Sequence, residues 1–234
     1  VPYSRTYQAT VKVSPSSSPL NEDLFERVET AEVAQGLYQT AYSETTGSVY
    51  ATTAYQTEGA WDGTLYKLDP DTLAVEDSVR PGFVSGTSGA RFATYGIGVD
   101  DENGHVWITN TRQNTVAVYD AETLDLVKQF ESGIINHSRD VIVDEATNKA
   151  FVSAAARGSN DPSVIGVFDN ETLGQLESIE VGENAADFTP MSLELDEEGG
   201  TLYTVSISTS EALAVDTATG EAEQIDLEAD VSSA

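Results

Sequence analysis

The sequence predicts an all-β fold, a β-propeller of four-stranded antiparallel blades, and three observations predict it. A pattern of short alternating strands recurs four times along the 234 residues. An aspartate ends the third strand of every repeat, and these marks (Asp69, Asp120, Asp169, Asp216) lie 51, 49 and 47 residues apart. Helical periodicity is nowhere sustained. Four strands per repeat of about 40–50 residues is the pattern of propeller blades.

Each repeat opens with a short alternating strand: Tyr38 to Tyr42, Tyr95 to Val99, Arg139 to Val143 and Met191 to Leu195. A tight turn follows, ending on Gly47, Gly104, Asn148 or Gly200, residues that tolerate positive φ. The second strand carries an aromatic at a matching place, Tyr50, Trp107, Phe151 or Tyr203, and the spacing predicts that these pack between blades. The third strand runs into the marker aspartate, whose carboxylate can accept bonds from the backbone of the turn it opens. A fourth strand, such as Leu126 to Phe130, closes the unit. The repeats span approximately 36–80, 94–132, 138–182 and 188–228, within a propeller region 24–234. Residues 1–23 hold an alternating strand, Tyr7 to Val13, and a Ser/Pro linker at 14–22.

Hydrophobic residues make up 39% and aromatics 8%, enough for a packed core and unlike a disordered chain. No apolar run approaches the roughly 18 residues that a spanning helix needs. The absence of cysteine excludes disulfides, thiolate nucleophiles and iron–sulfur clusters, and two histidines exclude a His-rich metal site. Forty acidic against eleven basic residues give a net charge of −29, which repels phosphate backbones and disfavours nucleic acid as a partner. A carboxylate-rich surface with four lysines serves solubility and suits a secreted or salty setting. The chain opens Val1-Pro2 without a basic or apolar leader, so export followed by processing is the expectation.

Thr115-Val-Ala-Val-Tyr-Asp-Ala-Glu-Thr123 and Val106-Trp-Ile-Thr-Asn110 resemble the repeats of YVTN-type β-propellers, and more narrowly of YncE-like proteins. Gly36-Leu-Tyr-Gln-Thr-Ala-Tyr-Ser43 and Gly63 to Leu73 extend the resemblance, which covers roughly residues 24–228. It implies an extracytoplasmic propeller, usually of seven blades, that acts by binding. Four visible repeats would then be a fragment of a larger ring, a ring completed by a second chain, or a small closed ring. Missing blades would leave sheet edges and apolar faces open to self-association.

No nucleophile elbow, phosphate-binding glycine loop, His-Glu-x-x-His motif or EF-hand loop occurs. The run Asp100-Asp-Glu102 offers oxygen ligands to calcium, but in a turn it reads more simply as solvated charge. Propellers bind where the loops entering each blade and those between second and third strands surround the channel. Arg91, Arg112, Arg139 and Arg157 all fall in or beside such loops. Arginine forks onto carboxylate or phosphate, so these four, assisted by Asn110, His137, Tyr55 and Trp61, outline an anion-binding channel mouth. Tyr55 and Trp61 are expected in a long first-blade loop, Tyr55 to Gly63. The competing reading pairs the arginines with carboxylates of neighbouring blades. His137 could serve as a general base or be a hydrogen-bonding surface residue. The resulting expectation is a non-enzymatic binding or scaffold module for a protein partner or small anionic ligand, without cofactor or metal. The alternative is a metal-dependent, lactonase-like hydrolase using Asp140, Asn136, Asn110 and Glu183.

Overall fold

The computed structural model describes residues 29–155, 162–183 and 187–225. The N-terminal strand and Ser/Pro linker expected at 1–23, and Arg157, lie outside the described residues.

Blade 1 comprises β1 (Leu37–Ser43), β2 (Ser48–Thr57), β3 (Ala60–Leu68) and β4 (Val75–Val79). Blade 2 comprises β5 (Ile97–Asp100), β6 (His105–Asn110), β7 (Thr115–Asp120) and β8 (Leu126–Gln129). Blade 3 runs through β9 (Ser138–Asp144), β10 (Lys149–Ala154), β11 (Ser163–Asp169) and β12 (Ile179–Gly182). Blade 4 runs through β13 (Pro190–Asp196), β14 (Thr201–Ser206), β15 (Ala212–Asp216) and β16 (Ala222–Ile225). Every sheet is a four-stranded antiparallel meander in chain order, and the helical content of the described residues is a single 3₁₀ turn, Thr111–Gln113.

Repetition extends to the turns. The Thr72 hydroxyl and N–H both donate to Asp69. Thr123, Thr172 and Thr219 do the same for Asp120, Asp169 and Asp216. These bonds favour the ionised carboxylate and hold all four aspartates below the ordinary range.

One local expectation is corrected. Residues 55–63 are not a long loop: β2 and β3 stay paired from Val49↔Leu68 to Thr57↔Ala60. A two-residue turn, Glu58-Gly59, closes the hairpin with φ of 50° and 84°. Positive φ at both turn positions matches the strand twist, which lets the ladder run to its tip. Tyr55 and Trp61 are therefore strand residues, opposite Asp62 and Gln56 respectively.

The blades pack face to face through three apolar clusters, one at each junction. Tyr50 and Leu65 of blade 1 meet Val106, Ile108 and Tyr119 of blade 2. Trp107, Val116 and Val118 of blade 2 meet Val141, Val152 and Phe168 of blade 3. Phe151 and Ile165 of blade 3 meet Leu193, Leu202 and Val215 of blade 4. The matching aromatics thus each bury against the following blade, and Tyr50, Trp107 and Phe151 are 0% exposed. Tyr203 holds the same place in blade 4 and is 40% exposed, because among the described residues no blade follows. Among the described residues blades 1 and 4 share no apolar cluster, so the four blades are joined in sequence as an arc.

The innermost strands β1, β5, β9 and β13 pack side by side along the arc. Their approach is close where β5 passes β9. A Cβ on Gly96 would sit 2.3 Å from the Arg139 carbonyl oxygen, so only glycine fits. The Thr109 hydroxyl accepts from the Gly96 N–H and donates to that same carbonyl, at 2.8 and 2.9 Å, locking the two blades together there.

Candidate functional site at the channel mouth

The first residues of the four inner-strand segments meet at one end of the channel. Tyr38 and Tyr95 stand edge to face with ring centroids 5.1 Å apart. Trp61, carried in by the long hairpin, lies 6.3 Å from Tyr95. The Arg112 guanidinium covers the Trp61 ring at 4.2 Å, and its Nε donates to the Tyr95 hydroxyl at 3.2 Å. On the other side Arg139 faces the Tyr38 ring at 5.6 Å. A continuous ladder, Trp61–Arg112–Tyr95–Tyr38–Arg139, therefore crosses blades 1, 2 and 3.

Neither arginine of this ladder joins a carboxylate among the described residues. Ion pairs there link Lys67 to Glu122, Arg80 to Asp62 and, when His105 is protonated, His105 to Asp100. Arg139 Nε is buried with no hydrogen-bond partner. An arginine stacked on an aromatic face keeps its charge and its in-plane donors, while the ring fixes its plane.

Beside Arg139 a cavity of about 380 Å³ opens between Tyr38, Gln39, Arg139, Asp140, Met191 and Ser192. Asp140 lines it, with its carboxylate held by three donors. Oδ1 accepts from Gln39 Nε2 at 2.9 Å and from its neighbour Val141 N–H at 3.0 Å, and Oδ2 accepts from Leu193 N–H at 2.9 Å. Blades 1, 3 and 4 are tied through this one group. Burial pushes its pKa above the ordinary value, against the lowering effect of those three donors. Gln39 Oε1 also accepts from Ile97 N–H of blade 2 at 3.2 Å, so both ends of its amide help to hold inner strands.

Of the residues singled out by sequence, Trp61, Arg112 and Arg139 converge. Arg91 does not extend the ladder: its guanidinium covers Phe83 at 3.8 Å and donates to the Pro81 carbonyl, folding the 81–91 loop on itself. Its backbone N–H donates to the Trp61 carbonyl, which steadies the hairpin. Asn110 is buried, its amide donating to Ala93 O and accepting from Gln129 Nε2. Tyr55 lies near the Arg80–Asp62 pair instead. His137 has φ of 59°, and its N–H donates to Asn114 Oδ1 at 2.9 Å.

Sequence reasoning passed over Tyr38, Tyr95 and Met191 as site residues. Their signal was present, because with Arg139 they are the opening residues of the four repeats. The acidic turn Asp100-Asp-Glu102 stitches blades: Asp101 accepts from the Ser43 hydroxyl and the Glu44 N–H of blade 1. Among the described residues no three His, Asp or Glu side chains gather as a metal-binding group.

No family model matches the chain. YncE of Escherichia coli strain K12, described as an uncharacterized protein, is 27% identical over 194 residues, 80% of this chain and 50% of its own length. YncE of Salmonella typhimurium is 26% identical over 201 residues, 81% and 51% of the two chains. The chain thus spans about half the length of the curated relatives it matches. Kuenenia stuttgartiensis hydrazine synthase superposes with a TM-score of 0.60 at 17% identity, over 81% of this chain and 49% of that one. The dihydro-heme d1 dehydrogenase NirN gives 0.58 at 15% identity, over 82% and 38%. These solved structures share the fold alone. The chain is thus similar to YncE over about half of that protein's length, and its repeated four-stranded blades are those of a β-propeller.

Proposed function

We propose that the chain is a non-enzymatic binding module, working outside the cytoplasm, whose channel mouth takes an anionic group. That group is a carboxylate, on a small ligand or on an acidic side chain of a protein partner. The observation carrying this reading is the pair Arg112 and Arg139, held on aromatic faces without a carboxylate partner among the described residues. In a chain with 40 acidic and 11 basic residues, carboxylates are abundant enough to neutralise every arginine. Two cations without an ion-pair partner among the described residues concentrate positive potential where loops and inner strands converge. The carboxylate-rich, lysine-poor composition supports an extracytoplasmic setting.

Trp61 provides the test, because the other tryptophan, Trp107, is buried between blades. Emission is titrated with acetate, succinate, 4-hydroxyphenylacetate and inorganic phosphate, with Trp61→Phe as the baseline. A saturable change that disappears in the Arg112→Ala/Arg139→Ala double variant, with its melting temperature unchanged, supports the reading. Unchanged binding with a lowered melting temperature makes the arginines blade ties and overturns it, as does the absence of any saturable response.

A further inference from the structure

The cavity beside Arg139 carries the reading above one step further, to the class of anion, and rests on that reading. Its polar groups are unequal. Gln39 is committed to Asp140 and Ile97, and Asp140 receives three donors from blades 1, 3 and 4. Arg139 has its Nε buried and unmatched. The remaining lining residues are the half-exposed Tyr38, Met191 and Ser192. At about 380 Å³ the space suits a small organic molecule.

A carboxylate in this cavity gains charge-assisted bonds from the planar fork of Arg139. Asp140 sits next to Arg139 in sequence and lines the same cavity, where its carboxylate, held by three donors, supplies negative charge. One anionic group can turn towards Arg139 and away from Asp140. A second anionic group on the same small molecule has no second unpaired cation in the cavity and meets Asp140. The body of the ligand lies against Tyr38 and Met191, a ring face and a polarizable thioether, both favourable to flat apolar groups.

We propose that this cavity selects a monocarboxylate with a flat or apolar body, Arg139 holding the carboxylate and Asp140 excluding dianions. Calorimetric titration at pH 8 compares 4-hydroxyphenylacetate with succinate and inorganic phosphate. The aryl monocarboxylate is expected to bind at least about tenfold more tightly than either dianion, and Arg139→Met to lose at least about tenfold of that affinity. Asp140→Asn, checked for folding by its melting curve, narrows the ratio by improving succinate binding. Should that variant not fold, the wild-type ratio measured from low salt to about 0.5 M sodium chloride reads the same term, because screening weakens the exclusion.

Succinate or phosphate binding as tightly as the aryl acid overturns this proposal and leaves the anion-binding reading standing. A ratio indifferent both to salt and to a folded Asp140→Asn variant overturns the role of Asp140. Failure of all the anions to bind overturns both readings.

Discussion

Replacing Trp107 by alanine is expected to destabilise the chain several times more than replacing Tyr203, although the two hold the same place in their repeats. Trp107 is fully buried, 5.9 Å from Phe130 and 5.6 Å from Phe168, ring centre to ring centre. Truncating a buried tryptophan of this kind costs about 3–5 kcal/mol, from lost transfer energy and the cavity left behind. With a urea dependence of about 2 kcal/mol per molar, the unfolding midpoint falls by about 1.5–2.5 M. Tyr203, 40% exposed with no following blade among the described residues, gives up only part of its burial, and its loss is expected below about 1 kcal/mol. Trp107→Phe adds a finer check. The indole N–H is buried without a partner, so phenylalanine removes an unsatisfied donor together with some contact area. It should cost far less than alanine. Equal midpoint shifts for Trp107→Ala and Tyr203→Ala would refute the directional packing of each aromatic on the next blade.

Other outcomes follow from the same geometry. Asn170 is buried with both side-chain polar atoms unmatched, where blade 2 has Ala121; Asn170→Ala should stabilise by about 1 kcal/mol, seen as a higher melting temperature. Asp120 is depressed by the Thr123 N–H and then by its hydroxyl, so its contribution to stability is present above the unfolded value near 3.9 and lost as pH falls through the folded value. Thr123→Ala should raise the Asp120 pKa towards the ordinary value, read by carboxyl NMR titration, and shrink that acid-side dependence. Asp140 has the opposite sign: its raised pKa favours the fold at pH below the shifted value and opposes it as pH rises through that window. Gly96→Ala should push β5 from β9, lowering both stability and any anion response at Arg139, whereas Gly104→Ala, in an open turn, should spare the anion response.

The blade architecture was legible because its determinants are local. Marker aspartates need a threonine three residues on, and each of the four has one; the inter-blade aromatics recur at a fixed strand position. The channel mouth was only half legible. Arg112, Arg139 and Trp61 stood out by chemistry. Tyr38 and Tyr95 were hidden because an aromatic at the head of an alternating strand reads as core until the inner strands are set around a channel. Asn110 misled for the converse reason: a polar residue beside a loop looks available, but the ends of Gln129 and Ala93 close on it. The hairpin tip was missed because Glu58 at positive φ is an unusual choice where asparagine or aspartate is the common signal. The exposure of Tyr203 depends on what lies beyond its blade, which no feature of its own repeat encodes.

Arginine side-chain NMR tests the central claim most directly. The Nε–H signals of a ¹⁵N-labelled sample are followed while 4-hydroxyphenylacetate is added. The account expects saturable shifts at Arg112 and Arg139, with Arg80, held by Asp62, left unmoved. Shifts confined to other arginines, or none at any concentration, would contradict it.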